Sequence, residues 1–334
     1  VRIFGWAADR AGCGYYRMGL PLHEMAKHGH DIQVSINRTG WEATADVIVG
    51  QRVCNPGPSS WWQGLGSLPT GKRPLMVYEL DDDLWGVHPD NDTAYRYFQD
   101  GTGRKEAMVL NALCSDLVTT TTPWLADVIR SQVGPNCPPV VVIPNVVDEA
   151  LFSLELPYHQ EPILGWAGSG THRPDFRVAG PQVARFLRRN PGIVWHSVGA
   201  DFIPATPGIR EHTPWVDSVE EYYRSLDFTV GIAPLMSHPF NRSKSPIKAL
   251  EYAARGIPTV ASDYGPYADF VVHGETGLLV RQDHEWVKYL HSLFHDPARR
   301  AIMAEKARRR ASIQTVQNQW VQWERAYEGA SHAV

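Results

Sequence analysis

The chain is short of several things. It has four cysteines in 334 residues, Cys13, Cys54, Cys114 and Cys137. None forms a C-x-x-C pair, and none has a zinc-type spacing to histidine, so neither a disulfide scaffold nor a structural zinc site is expected. Reduced thiols in a cytoplasmic protein are the natural reading. No apolar run approaches the ~20 residues that cross a bilayer, so no transmembrane segment is expected. The opening VRIFGW lacks the basic and long apolar regions of a signal peptide. There is no excess of positive charge: the formal net charge is −4, which gives no global field for nucleic acid. Short repeats and low-complexity tracts are also lacking.

What is present is a soluble globular composition, 43% hydrophobic and 20% charged, on a chain long enough for two cores. Tryptophan is abundant at twelve. Trp61 and Trp62 lie in a Pro/Gly-rich stretch, 54–73, that reads as a long loop with a helical turn. Some of these indoles are candidates for a binding face, although burial is the default for so large a side chain.

Along the chain, apolar strand-like runs alternate with amphipathic helical ones. Strands are expected at 1–6, 31–35, 45–53, 74–83, 116–121 and 139–148. Helices are expected after the Gly-rich loop up to Gly29, near 104–114 and from Pro123. Residues 150–160 read as a linker, and the pattern then restarts. Strands follow at 162–169, 193–200 and 227–235, with helices near 175–189 and 219–226. Helices at 284–296, 297–311 and 314–329 close the chain. Such alternation specifies an α/β protein with doubly wound parallel sheets. The domains are expected as 1–150, 151–311 and a C-terminal helical segment, 312–334, packing back on the first. A cleft is expected between the two halves.

Open parallel sheets bind ligands beyond the carboxyl ends of their strands, and four polar clusters fall there. Gly12, Gly14, Tyr15 and Arg17 follow the first strand. Glycines let a backbone approach a ligand and the next helix offers free amides, but a plain tight turn is an equal alternative. Gly168, Ser169, Thr171, His172 and Arg173 form an anion-nest candidate before a helix; an ordinary cap at Thr171 is the plainer alternative. Asn241, Ser243, Lys244 and Ser245 precede a helix opened by Pro246 and Ile247, a usual position for proline. A lysine at a helix N-terminus opposes the dipole unless an anion lies between them. Glu251, further along this helix, can accept two hydroxyls of a sugar. Finally, Glu79, Asp81, Asp82 and Asp83 end a strand. They could hold a cation, serve as a base or act as caps, with metal the least favoured.

NRSKSPIKALEYAARGIPTVAS, followed by GPY and VVHGETGLLV, resembles the donor-binding region of family 4 glycosyltransferases of the GT-B fold. VVIPNVVD, ILGWAGSGTH and WVDSVEEYYRSLDFTVGIAPL are similar to other segments of that family. The resemblance implies two Rossmann-like domains facing a cleft. It implies a retaining transfer from a nucleotide-diphosphate sugar, UDP being the mild preference, to an acceptor hydroxyl. Glu251 takes the place of the second Glu of the family's paired motif, which holds the ribose; the first Glu is replaced by Ser243. Lys244 and Arg173 stand in for the family's diphosphate cations, Trp215 and Val216 match the base-reading loop, and Gly12 and Gly14 match the loop facing the phosphates. Asp82 occupies a position near the reacting centre. Tyr15, Arg17 and Asp83 are assigned to the acceptor side. No cofactor and no metal are expected. The acceptor, whether glycan, protein, small molecule or lipid, is open, with a soluble one favoured. The rivals are a nucleotide-sugar epimerase or hydrolase on the same fold, and a non-catalytic nucleotide- or glycan-binding module.

Overall fold

The computed structural model describes residues 1–155, 161–204 and 206–332. Their strands form two six-stranded parallel sheets. The first contains β1 (Arg2–Trp6), β2 (Asp31–Ser35), β3 (Val47–Gln51), β4 (Leu75–Leu80), β5 (Leu117–Thr120) and β6 (Val140–Val142), in the order β2-β1-β3-β4-β5-β6. The second contains β7 (Ile163–Gly168), β8 (Val194–Gly199), β9 (Arg210–Thr213), β10 (Val230–Ala233), β11 (Thr259–Ser262) and β12 (Gly277–Val280), in the order β12-β11-β10-β7-β8-β9. Each half winds one way from its first strand and then reverses. The reversals fall between β1 and β3 and between β7 and β10, where crevices open at strand ends.

Both faces of each sheet are covered, which is why the strands read as continuous apolar runs instead of alternating ones. Val77, Tyr78 and Leu80 of β4 are fully buried, as are Leu164 of β7 and Val230 and Ile232 of β10. The last helix, Val321–His332, leaves the second half and seals the first sheet. Its Trp323 and Tyr327 join Ile3, Met18, Leu22 and Val77 in one apolar cluster. The return is pinned by a parallel bridge from Val147 to Thr315 and by the Gln317 side chain accepting from the Glu149 amide at 3.0 Å.

Several elements differ from expectation. The stretch read as a loop at 54–73 contains an eleven-residue helix, Pro56–Gly66. Proline in its first turn starts it, and Trp62, fully buried with its Nε1 donating to Asn111 O and Ser115 Oγ, anchors it; packing outweighs three helix-weakening glycines. Trp62 is therefore core, and Trp61 packs edge-on against Trp6 with Arg38 over its ring. Strand β9 carries no apolar residue, and the helix Asp92–Phe98 spans only two turns, too short to show a helical period. Of the expected linker, Ala150–Ser153 is helical and 156–160 lie outside the described residues.

The halves touch across the cleft. Asn145 Nδ2 donates to Ser245 Oγ at 2.8 Å, and Thr122 Oγ1 donates to Ser243 O at 2.9 Å. Arg177 pairs with Asp90.

Candidate active site

A cavity of about 260 Å³ lies where the two topological reversals face each other. From the first half come Gly12, Cys13, Tyr15 and Tyr16 after β1, Asp81 and Asp82 after β4, and Asn145. From the second come Gly168, Ser169, Thr171 and His172 after β7, Gly199 after β8, Trp215 and Val216 after β9, and Lys244, Ser245, Ile247, Lys248 and Glu251 on and before one helix.

That helix, Ile247–Ala254, starts after Pro246 with no side-chain cap. Its first turn lines the cavity, so its positive end faces the space where an anion would sit. Lys244 precedes it, with Nζ 3.5 Å from Asp82 Oδ1 of the other half. Lys248 lies one turn on. Its Nζ is 2.8 Å from His172 Nε2, and His172 Nδ1 is 2.7 Å from Asp175 Oδ2. A carboxylate only accepts, so Nδ1 carries the proton and Nε2 accepts from the ammonium. Asp175 is fixed in turn by the Met236 amide at 2.9 Å and the Asn241 amide at 2.7 Å. This chain aims the ammonium at the cavity.

Burial and the nearby Lys244 charge push Lys248 down to about 8. Burial and the Lys248 charge push His172 down to about 4, so its ring is neutral at pH 7. Burial works against the Asp175 carboxylate, yet the bond from His172 leaves it below the usual range. Two ammonium groups held close together repel each other, and an anion placed between them relieves that repulsion.

Glu251 is 2% exposed. Its Oε1 accepts from the Tyr16 hydroxyl of the first half and its Oε2 from Tyr222 at 2.8 Å. Burial raises it to about 6, against the pull of both tyrosines and Lys248. A carboxylate has about four acceptor positions, so two remain for a ligand's hydroxyls. Tyr15 and Tyr16 open a π-helical turn, Tyr15–Gly19, which widens the backbone where it meets the cavity. Burial raises the Tyr15 hydroxyl to about 12. Trp215 is 55% exposed at the rim beside Gly199, a flat surface free to stack. Gly199 has φ +91°, and a Cβ there would lie 2.3 Å from Gly168 O, so only glycine brings these two loops together.

Several residues assigned from the sequence are not in the cavity. Arg17 is buried beneath it, paired with Glu79 at 2.7 Å and bonded to Ile143 O and Asn145, so it cannot meet an acceptor. Asp83 turns away to accept from the Gly86 amide at 3.0 Å. Arg173 lies over the Phe202 ring, 5.3 Å from its centroid, and does not line the cavity; the second cation position is filled by Lys248. Ser243 is fully buried and donates to Phe240 O, and Asn241 stands one step behind, holding Asp175. Gly14 and Pro246 shape loops only. A Cβ on Gly14 would strike Asp9 O at 1.9 Å.

Sequence reasoning missed Lys248, Asp175 and Tyr222, and gave Tyr16, in the cluster after the first strand, no role of its own. Lys248 was open to discovery: it lies three residues before Glu251, a spacing that puts both on one face of the helix that Lys244 precedes. Among the described residues, one group has metal-like proximity: Cys13, Asp81 and Asp82, whose ligand atoms lie within 4.8 Å of one another. Arg52 already donates to all three.

Two doubly wound lobes with a ligand-sized cavity between their switch points define the GT-B class of glycosyltransferase fold. The chain aligns with sucrose-phosphate synthase of Thermosynechococcus elongatus at a TM-score of 0.67 and 16% identity, over 100% of this chain and 99% of that one. It aligns with HepE of Anabaena in complex with UDP and glucose at a TM-score of 0.65 and 13% identity, over 98% and 99%. Residues 208–310 match the family model "Glycosyl transferases group 1". The D-inositol 3-phosphate glycosyltransferase of Rhodococcus erythropolis is 29% identical over 182 residues, 54% of this chain and 36% of that protein. Its counterpart in Rhodococcus opacus is 32% identical over 149 residues, 44% and 28%. The match thus spans about a third or less of these relatives' length.

Proposed function

We propose that the chain is a retaining glycosyltransferase that moves a sugar from a nucleotide-diphosphate sugar, with UDP as the preferred nucleotide, to an acceptor hydroxyl. The observation that carries this reading is Lys244 just before a helix, with Lys248 and Glu251 on one face of it, at an uncapped helix start inside a cavity closed by the opposite half. The spacing suits a nucleoside diphosphate. The two ammonium groups and helix amides take the diphosphate, Glu251 takes the ribose hydroxyls, and Trp215 stacks on the base.

The chemistry follows from charge. As the sugar leaves, negative charge grows on the diphosphate, and preorganised cations in a dry site stabilise it more than water would. Asp82, paired across the cleft with Lys244, is the carboxylate of the first half that meets this set of cations. Contacts between the halves exclude water that would hydrolyse the donor. Transfer without a metal is consistent with this set of cations, and EDTA should leave it unchanged. Retention rests on the family resemblance, and UDP on the same resemblance together with the UDP complex of the Anabaena structural neighbour.

A thermal-shift series with UDP, GDP, ADP and their sugar conjugates tests the reading. A ligand at a hundred times its Kd adds about 2.7 kcal/mol and raises the midpoint. UDP and a UDP-sugar should raise it, and Glu251→Ala should abolish the rise. NMR of the product anomer tests retention. Release of an epimer or free sugar without any acceptor would instead favour the isomerase or hydrolase reading. Midpoints that no nucleotide moves would remove the proposal.

A further inference from the structure

Arg52 is the non-glycine residue among the described residues that holds a left-handed backbone, φ +51°. Such strain persists where surrounding structure insists on it, and it concentrates at working sites. The constraint is visible here. Arg52 follows β3 at the first half's topological reversal. Its amide donates to Glu79 O at 3.0 Å. The preceding Gln51 is stitched to the glycine loop, donating to Cys13 O and accepting from the Ala8 amide. This turn swings the guanidinium under the acidic end of β4. There Nε donates to Asp81, and Nη2 donates to Asp82 Oδ2 at 3.0 Å and to Cys13 Sγ at 3.1 Å. Arg52 lines a second, neighbouring cavity of about 470 Å³ but not the one that holds Lys248 and Glu251.

Asp82 is therefore shared. One oxygen faces Arg52 at 3.0 Å and the other faces Lys244 of the opposite half at 3.5 Å. A carboxylate held by a forked guanidinium binds a second cation less tightly, because much of its charge is already met. We propose that Arg52 is a positioning residue that keeps Asp82 from capturing Lys244, so that the lysine stays available to the diphosphate of a nucleotide donor. The inference rests on the nucleotide reading of the cavity. Arg52 acts through Asp82 and does not line the cavity assigned to the nucleotide.

The test is a double-mutant cycle read by calorimetric binding of UDP, which needs no acceptor and no turnover. Arg52→Gly suits the backbone angle and removes the cation. It should weaken UDP binding about tenfold, since Asp82 then closes on Lys244. Asp82→Asn alone also frees Lys244 and should raise UDP affinity, but by less than the same change does in the Arg52→Gly background, because Arg52 already meets part of the Asp82 charge. The double variant should return to within about twofold of the wild type. A role that merely shapes the loop is not reversed by Asp82→Asn, and a diffuse field effect makes the Asp82→Asn gain equal in both backgrounds. UDP binding unchanged by Arg52→Gly, or an additive cycle, overturns the inference while leaving the nucleotide reading intact. If Arg52→Gly does not fold, Arg52→Lys replaces it in the cycle. One ammonium can face only one of the two carboxylates, and about a threefold loss reversed by Asp82→Asn is expected. A wild-type protein that binds neither UDP, GDP nor ADP overturns the nucleotide reading and this inference with it.

Discussion

The two halves share a winding scheme but spend their charged residues differently. At the strand ends of the first half, charges are paired with one another. Arg17 meets Glu79 inside the fold, Arg52 meets Asp81 and Asp82, and Asp83 closes its own turn. At the corresponding ends of the second half, Lys244, Lys248 and Glu251 point into a shared cavity, where Glu251 is buried and both Lys248 and Glu251 are pushed toward their neutral forms. A side chain that satisfies its neighbours contributes to stability, whereas one left partly unsatisfied in a cavity contributes to binding. The first half thus supplies shape, and the second holds the groups suited to an anionic, hydroxyl-bearing ligand.

Two substitutions would break that comparison if it is wrong. Arg17→Met strands the Glu79 carboxylate in the core, where burial already raises its proton affinity against the pull of Arg17. Removing one partner of a buried pair costs about 3–5 kcal/mol, so urea unfolding should show the largest loss of any change discussed. Lys248→Met should do the opposite. Its ammonium is disfavoured by burial, so an apolar side chain of similar length should leave the unfolding midpoint unchanged or higher. Donor turnover should nonetheless drop about 10²–10³-fold, the usual cost of losing one preorganised group at a developing charge. A stable Arg17→Met protein, or an unstable Lys248→Met one, would reverse the assignment of the halves.

Trp215→Ala gives a smaller effect. The ring is exposed at the rim, so its removal should not alter folding. Losing a base stack costs about 1–3 kcal/mol, seen as weaker binding of UDP in calorimetry. Inorganic diphosphate, which has no base, should bind the variant as it binds the wild type.

The contrast between the halves also explains what the sequence revealed. The alternation of strands and helices is local, and it reported the doubly wound plan and the start of the helix at Ile247. Lys244, Lys248 and Glu251 of the second half lie within one short segment, so their closeness in sequence could have assembled them. In the first half a residue's role depends on partners far along the chain. Arg17 reads as a cation near a glycine loop, and its assignment is settled by Glu79, 62 residues away. Arg173 follows a nest-like loop, but the turn at Gly170–Asp175 directs His172 inward and Arg173 onto Phe202. The helix Pro56–Gly66 was hidden for a related reason: its stability comes from Trp62 reaching Asn111 and Ser115, contacts that composition does not display.

The pH dependence of nucleotide binding sharpens the comparison most finely, because it reads the second half's groups directly and one group of the first through them. Glu251 is raised to about 6, so below that pH it gains a proton and loses an acceptor position needed by the ribose. Lys248 is lowered to about 8, so above that pH it is neutral and must take up a proton when an anion arrives. UDP affinity should therefore be greatest between about pH 6 and 8 and decline on both sides, with calorimetry in buffers of different ionisation enthalpy showing proton uptake above pH 8. Tyr16→Phe then reports on the contact between the halves. The Tyr16 hydroxyl lowers the proton affinity of Glu251; without it the acidic limb should move to higher pH. The alkaline limb belongs to Lys248 and should stay where it was. If both limbs moved together, Tyr16 would be acting on closure of the cleft and not on Glu251. If neither moved, the hydroxyl would contribute nothing to the ionisation of Glu251.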